Sequence, residues 1–587
     1  YNVGSGDGFF TVMHPSNTSL MFAESQGGNL IRVNLETMER TRMRPIGRPD
    51  ADDEMPELRW NWDTPVVLSS HDESTLYIGS NLLFRSSDLG QSFTAISGDL
   101  TWSVDRDTLS IMGVPGGSAQ MSRNDGQSSY GNLTAIAESP LNEAVIYTGA
   151  DDGRVHVTQD SGETWTDITD RLEGLPRYAY VTRIVASHGQ DGEVFAAFDN
   201  HRNDDFNSYL YHSENFGQDW RRIGSGLPAS SLNALAQHPD NAELLFVGNE
   251  VGVYVSADAG VTWVQMGSGL PTVPVDDIKI HPRENDLIIG THGRGVWIID
   301  DISPLEHLST NVMVANAHIF PIRRATSFNP YTPQGWTPGI FAAPNPPSGA
   351  RIRYHLSSDV EELELRVTDA TGKLVRELDA QVASGVHEVI WDLRLQLGSG
   401  EESAGGGLGP RVLPGAYIVE LVTGADIVQS EVSVRMDPRV KIGRRELMAR
   451  HQVMIDSYRI GSAVGLAERA LEEATNQLVA AGELVAGRYN EVLTSEIHQG
   501  RDKLAALNEE LDDSSGGGRV WRGIETSGAM PTADALYQIE ESWAKVPSLT
   551  EGVNAIIGDV ESVLRQVYAP IAMPDLPNEL PIPSKGR

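Results

Sequence analysis

The chain has 587 residues, too many for one hydrophobic core, so three or four domains are expected. It carries 81 acidic against 45 basic side chains, a formal charge of −36, which repels phosphate backbones and anionic membranes and speaks against nucleic acid as a partner. There is no cysteine, so disulfides, thiolate catalysis and Cys-ligated zinc are excluded together, and no apolar run reaches the roughly 20 residues that span a bilayer.

The sequence opens on Tyr1, without a charged segment and apolar run of the signal-peptide kind. The expectation is an exported protein (periplasmic, cell-surface or secreted), either processed or part of a longer chain.

Internal repeats dominate the first half. The pattern Ser/Thr-x-Asp-x-Gly-x-Thr/Ser-aromatic appears as SSDLGQSF (86–93), TQDSGETW (158–165) and SADAGVTW (256–263). A degenerate copy, SENFGQDW (213–220), has Asn215 in place of the aspartate. Short alternating strands precede each copy, and three carry the phrases LYIGS, VIYTGADDG and LLFVGNE. Even strand spacing with one Gly/aromatic signature per unit predicts propeller blades. About six units follow, at 6–45, 62–97 and 133–169, then from near Val181, Leu232 and Asp276. A long insertion, 98–132, separates the second from the third. The first and sixth units lack the octapeptide, so 1–304 is expected to belong to a larger propeller, with further sequence or a partner chain supplying blades.

The octapeptide resembles the Asp-box. Together with GDGFF, ESQGGNLIRV, RWNWDTP, GADDGRVHVT, THGRGVWIIDD, NPPSGA and the WDLR/LPGAY pair, it resembles the bacterial sortilin-like, BNR-repeat "glycosyl hydrolase" family over nearly the whole chain. The resemblance implies an Asp-box propeller and the C-terminal portion of a longer protein.

After Pro304 the grammar changes. Residues 305–350 read as a Pro- and Asn-rich crossing segment. Alternating strands with a DATGK hairpin signal predict an Ig-like β-sandwich over 351–437, with GGGLG (405–409) as a loop. Helical spacing at Leu447, His451, Met454 and Tyr458 opens a helical bundle over 440–569. SSGGG (514–518) breaks it, a helix with Leu536, Ile539 and Trp543 on one face starts at Pro531, and another carries Ile556, Val560, Val563 and Val567. A Pro-rich tail, 570–587, ends the chain. The fold class is therefore mainly β: propeller, sandwich, then helical bundle.

Asp88, Asp160, Asn215 and Asp258 are expected to satisfy turn N–H groups rather than to do chemistry. Strand direction sends loops between second and third strands, and between blades, to the face opposite these turns. There the unusual polar residues gather: Trp62, Asp152, His201, Arg202, Asp205, Glu250, His292 and Arg294 are the candidate ligand-binding set, with Trp60, Asp63, Arg177, Tyr178, Asp276 and Asp277 in the inter-blade loops. A peptide, protein or glycan is the expected ligand. A glycoside hydrolase is the alternative, needing two of the carboxylates Asp63, Asp152, Asp205, Glu250 and Asp277 about 5 Å or 6.5–9.5 Å apart. A structural subunit docking through its bundle is the third. His14, His238 and His281 each precede proline and read as turn residues, so no metal site or cofactor is expected, with Ca²⁺ on the Asp-rich loops as the remaining candidate.

Overall fold

The computed structural model describes residues 3–4, 6–46, 56–111, 114–115, 129–267, 269–330, 345, 347–397, 409–424, 426–486, 490–569 and 572–585. Most of GGGLG, the middle of the 98–132 insertion and much of 331–346 lie outside them. Two units divide the chain, Tyr1–Leu308 and Ser309–Arg587.

The first unit contains six consecutive antiparallel sheets in up-and-down order, five of four strands and a last one of three. We number them as blades. The first has strands Gly8–Met13, Leu20–Ser25, Asn29–Asn34 and Arg40–Arg42. The second has Val66–Leu68, Leu76–Gly79, Leu83–Ser86 and Thr94–Ala95. The third has Leu133–Glu138, Ile146–Ala150, Val155–Thr158 and Thr166–Asp167. The fourth has Tyr180–Ala186, Val194–Asn200, Asp205–Ser213 and Arg221–Ile223. The fifth has Leu232–Gln237, Leu245–Asn249, Gly252–Ser256 and Val264–Gln265. The sixth stops after Val275–Ile280, Leu287–Thr291 and Gly295–Ile299.

Consecutive innermost strands lie against one another from the first blade to the sixth, the arrangement of a β-propeller. Apolar clusters sit between the sheets. Phe22, Trp60, Val66 and Ile78 fill the space between the first and second blades, and Val155, Val181, Phe198 and Tyr211 that between the third and fourth. The glycine in LYIG, IYTGA and LFVGN explains the spacing. A Cβ built on Gly79, Gly149 or Gly248 would come within 2.9 Å of Leu133, 2.7 Å of Val181 Cβ or 2.6 Å of Val275, each the first or second residue of the next innermost strand. The second strands of the second, third and fifth blades thus each carry a notch that the following blade fills.

The octapeptides form the turns between third and fourth strands. Ser86, Thr158 and Ser256 each donate a hydroxyl hydrogen bond to the aspartate two residues on, at 2.7 Å in all three turns. The same aspartates accept the backbone N–H and hydroxyl of Ser92, Thr164 and Thr262 at 2.6–2.9 Å. Hydrogen bonds from Ser92 hold the Asp88 carboxyl down at about 2. In the degenerate copy two changes compensate. Asn215 Oδ1 still accepts the N–H of residue 219, but its Nδ2 donates to the Asp219 carboxylate at 2.8 Å, reversing the usual side-chain bond. The turn glycine is a contact as well: Gly162 has φ +99°, and a Cβ there would lie 2.7 Å from the carbonyl oxygen of Ile96 in the preceding blade.

The His-Pro turns behave as expected. His14, His238 and His281 Nδ1 accept backbone N–H groups of Asn17, Asp240 and Glu284 at 3.0–3.1 Å.

In the second unit a three-stranded and a five-stranded sheet close over one core around Trp391, Tyr354 and Val419. Residues 305–350, read from sequence as a crossing segment, contribute two strands to these sheets, Ala317–Ile319 and Ala325–Ser327. The helical part has four helices, Arg444–Val485, Glu491–Ser514, Gly516–Ser527 and Ala533–Tyr568. SSGGG is therefore a helix junction, and its glycines are contacts: a Cβ on Gly518 would lie 2.5 Å from the Cα of Gly461. The two helices expected after Pro531 are one, running through Pro547. Glu525 ties the bundle to the sheets, bonding the Arg394 guanidinium at 2.8 Å and the Arg411 N–H at 2.9 Å. Among the described residues no helix is long and apolar enough to cross a membrane.

The notches make a paired prediction. Gly149→Ala forces a methyl into Val181 and should lower unfolding free energy by roughly 1–3 kcal/mol in urea titration. Gly290→Ala, on the second strand of the sixth blade, should stay within about 0.5 kcal/mol of the parent, because the atoms nearest its Cβ are those of its own blade's Asp277, at 3.6 Å or more, an ordinary van der Waals distance.

Candidate functional site

The innermost strands carry a recurring irregularity. Register slips near the start of each in the third to sixth blades, between Leu133/Ala135, Val181/Arg183, Leu232/Ala234 and Val275/Asp277. A bulge re-aims the side chains around it. In the fifth blade the skipped residue Asn233 donates to Glu250 at 2.9 Å, and in the sixth Asp276 lies 3.6 Å from His292.

Arg183 is the hub. Its guanidinium donates to the carbonyl oxygen of Asp276 at 3.1 Å, lies 3.8 Å from the Asp277 carboxylate and stands 5.9 Å from the ring centre of Phe10. Side chains of the fourth, sixth and first blades therefore meet at one place. Asp63, from the loop entering the second blade, joins them: burial raises its pKa, Arg183 pulls it down and Asp277 pushes it up. Burial also raises Asp276, with His292 opposing and Glu250 adding. Tyr180 is raised by burial and by the Asp151 and Asp63 charges, while the Arg202 guanidinium lies 5.2 Å from its ring.

Glu24, in the ESQGGNL segment of the first blade, is a strongly perturbed carboxyl of this set. It is 2 % exposed and accepts the Gly28 N–H at 3.0 Å. Burial pushes its pKa up to about 8, and the Asp63 charge adds to the shift.

The eight expected ligand-binding residues separate into groups. Glu250 and His292 belong to the Arg183 network through Asp276. Arg202 reaches its edge at Tyr180 and lies 3.6 Å from Asp199, which also bonds His201 and accepts the Ser231 hydroxyl at 2.6 Å. Trp62 is 37 % exposed beside the first blade, its carbonyl oxygen accepting the Gly27 N–H. Arg294 is exposed at the tip of the sixth blade's second hairpin. Asp152 is fully buried: it accepts the Trp102 N–H at 2.7 Å and anchors the start of the 98–132 insertion, where Arg154 stacks 4.6 Å from the Trp102 ring. Asp205 is held in its hairpin by Asn200 and Tyr209. Sequence reading did not single out Arg183 or Glu24. A charge inside an otherwise apolar innermost strand, YVTRIVA, was the available signal for the first; nothing marked Glu24.

Among the described residues one group, His238, Asp240 and Glu306, brings three potential metal ligands together. Its geometry is that of a turn anchor: His238 Nδ1 accepts the Asp240 N–H, and Nε2 faces Glu306 at 2.6 Å. On the Asp-rich loop, Asp151 Oδ1 accepts the N–H groups of Gly131 and Asn132, both at 2.9 Å.

No family model matches the sequence, and no curated protein matches it either. Solved structures with local likeness include a GH74 xyloglucanase from Xanthomonas campestris, 16 % identical, with TM-score 0.30 over 52 % of this chain and 53 % of that one. This chain thus spans about half of that enzyme's length. An ancestral GH74 enzyme is 13 % identical with TM-score 0.35 over 74 % of this chain and 62 % of that one. YCF48 from Cyanidioschyzon merolae is 10 % identical with TM-score 0.32 over 49 % and 80 %. The blade assignment rests on the sheet order and packing above.

Glu24 yields a pH prediction. A carboxyl whose folded pKa lies above its unfolded value, here about 8 against 4.5, holds its proton more tightly when folded. Its contribution to stability is complete below the unfolded value and is lost as pH rises through the folded one. Melting temperature should therefore fall from pH 5 to pH 8 more steeply in the parent than in Glu24→Gln, measured by calorimetry; parallel curves would contradict the assignment.

Proposed function

We propose that the propeller is an exported ligand-binding module engaging a peptide, protein or glycan where its second-to-third-strand and inter-blade loops open. The observation that carries the reading is the meeting at Arg183 of side chains from the first, fourth and sixth blades, with Asp63 of the second in electrostatic range. Asp63, Asp276 and Asp277 outnumber that one guanidinium. An excess of partly buried carboxylates suits ligands carrying ammonium or guanidinium groups, or many hydroxyl donors. Exposed Trp62 supplies a stacking surface on the same blades. The turn chemistry of the octapeptides supports reading them as Asp-boxes, and the two sheets closing over Trp391 support an Ig-like reading of the second unit's β domain.

One observation favours a glycoside hydrolase as the second reading. Glu24, kept protonated near neutral pH beside Asp63, is the kind of acid and carboxylate pair that such chemistry uses. Against it, Glu24 is almost wholly buried, so a substrate does not reach it in this conformation.

An array of basic peptides and amino- and neutral glycans, followed by hydrolysis assays on every hit, tests the proposal. Binding should weaken at least ten-fold, or by about 1.4 kcal/mol, in an Asp63→Asn/Asp277→Asn double variant with unchanged melting temperature. Weakening with added salt should accompany it for a cationic ligand. Turnover that disappears in Glu24→Gln while binding persists would replace the binding reading with the hydrolase.

A further inference from the structure

The notch that joins successive blades recurs once without an occupant. Leu76, Ile146 and Leu245 pair with the residues that open their octapeptide turns, Ser86, Thr158 and Ser256. Three residues on, Gly79, Gly149 and Gly248 receive Leu133, Val181 and Val275 of the next blade. In the sixth blade Leu287 pairs with Ile299, and three residues on stands Gly290. The three atoms nearest a Cβ built there all belong to Asp277 of its own blade, at 3.6–3.8 Å, so no side chain of another blade fills the notch as Leu133, Val181 and Val275 fill the others.

The surrounding face is correspondingly bare. Ile289 packs toward the fifth blade, which puts its neighbours Ile288 and Gly290, and their cross-strand partners Ile298 and Val296, on the opposite side. Val296 is 68 % and Ile298 58 % exposed. The strand Gly295–Ile299 is hydrogen-bonded along one edge only, whereas the third strand of every other blade has a fourth strand beside it. At the other end of the series Phe22 packs toward the second blade, and the opposite face of the first blade, with Ala23 and Ile31, lines a cleft of about 1050 Å³ together with Arg40, Arg42 and Arg44. Arg183 reaches both Phe10 and Asp277, and among the described residues no strand of the first blade pairs with one of the sixth, which leaves a position between their outer faces.

We propose that this position is the docking site of one further antiparallel β-sheet of the same repeat, contributed by polypeptide outside these 587 residues. Its innermost strand sets a branched aliphatic side chain into the notch at Gly290 and covers Val296 and Ile298. Its other face meets the arginine-lined cleft and carries carboxylates there. Continuity with the interfaces already described argues for a blade rather than a lone peptide: three preceding notches are filled by the first or second residue of a blade's innermost strand, and the apolar face runs from half-buried Ile288 on the second strand to exposed Val296 and Ile298 on the third.

The sequence has no cysteine, so single thiols report cleanly. Ile298→Cys, with Val261→Cys as a control that is 57 % exposed in the fifth blade's turn, is placed both in the isolated chain and in the protein as its own organism makes it. Maleimide should label both positions in the isolated chain. In the native protein, labelling at 298 should slow by an order of magnitude or more while labelling at 261 is unchanged. Adding Gly290→Val should restore fast labelling at 298 in the native protein and leave the melting temperature of the isolated chain unmoved. A benzophenone maleimide at position 298 should then cross-link to a peptide of alternating aliphatic residues from outside residues 1–587. Equal labelling in both contexts overturns the proposal, as does cross-linking to the first blade, to a second copy of this chain, or to a polypeptide without strand-turn repeats.

Discussion

The first unit depends on how closely one sheet can approach the next. Glycine on a second strand removes the Cβ that would otherwise collide with the following innermost strand, and the space is filled by Leu133, Val181 or Val275. Packing at that density fixes the offset between blades, not just their association, because a shift along the strand would drive a branched side chain into backbone. The first blade solves the problem differently. Its second strand, LMFAES, has no glycine, as the fourth blade's VFAAFDN has none; in the first blade the close approach moves to Gly28, where a Cβ would lie 2.5 Å from the Trp60 ring. With the offset fixed, strand direction alone determines which loops share a face. The octapeptide turns gather at one end of the blades and the loops carrying Glu250, His292 and Arg202 at the other.

That same packing produces the electrostatics of the candidate site. Carboxyls on the inner strands and the loops beside them lose part of their water, Asp276 least of the four, so Glu24, Asp63, Asp151 and Asp276 are all shifted upward by burial. One guanidinium, Arg183, is shared among several of them. An unpaired buried carboxylate costs more than a protonated carboxyl, which is why Glu24 keeps its proton. The octapeptide aspartates are the opposite case. They sit near the surface among donated hydrogen bonds, and Asp88 and Asp160 are stabilised as anions. The same side chain serves as a turn acceptor at one end of the blade and as a perturbed acid at the other.

Local chemistry was legible in the sequence, and long-range convergence was not. Blade starts near Val181, Leu232 and Asp276, the turn role of Asp88, Asp160, Asn215 and Asp258, and the His-Pro turns all follow from contacts within a few residues. Even the Asn215 copy explains itself once Asp219 is read with it. Arg183, Asp63 and Asp277 are separated by about a hundred residues each, and no window joins them. Asp152 illustrates a different failure. Its neighbour in an Asp-Asp-Gly loop looks identical on paper, yet Asp152 turns back to hold Trp102 while Asp151 caps Gly131 and Asn132. In the second unit the glycines of SSGGG read as a break because isolated glycine disfavours helix. Here close packing outweighs propensity, since only glycine lets the helix backbones at 461 and 518 approach so closely.

Edge strands give the last step. In this unit the outer edges are kept short and polar: Arg40–Arg42, Thr94–Ala95, Thr166–Asp167, Arg221–Ile223 and Val264–Gln265 run two or three residues and expose charged or small side chains for the most part. Such edges resist pairing with stray strands. Gly295–Ile299 departs from this pattern, presenting five residues of unpaired backbone with valine, tryptophan and isoleucine exposed. Every other interface between successive blades in the molecule buries its apolar face against a neighbour. The open edge is where a fourth strand of the same sheet would pair, while Val296 and Ile298 on the adjoining face, beside a notch of the kind filled three times elsewhere, share the apolar composition of the faces that stack between successive blades.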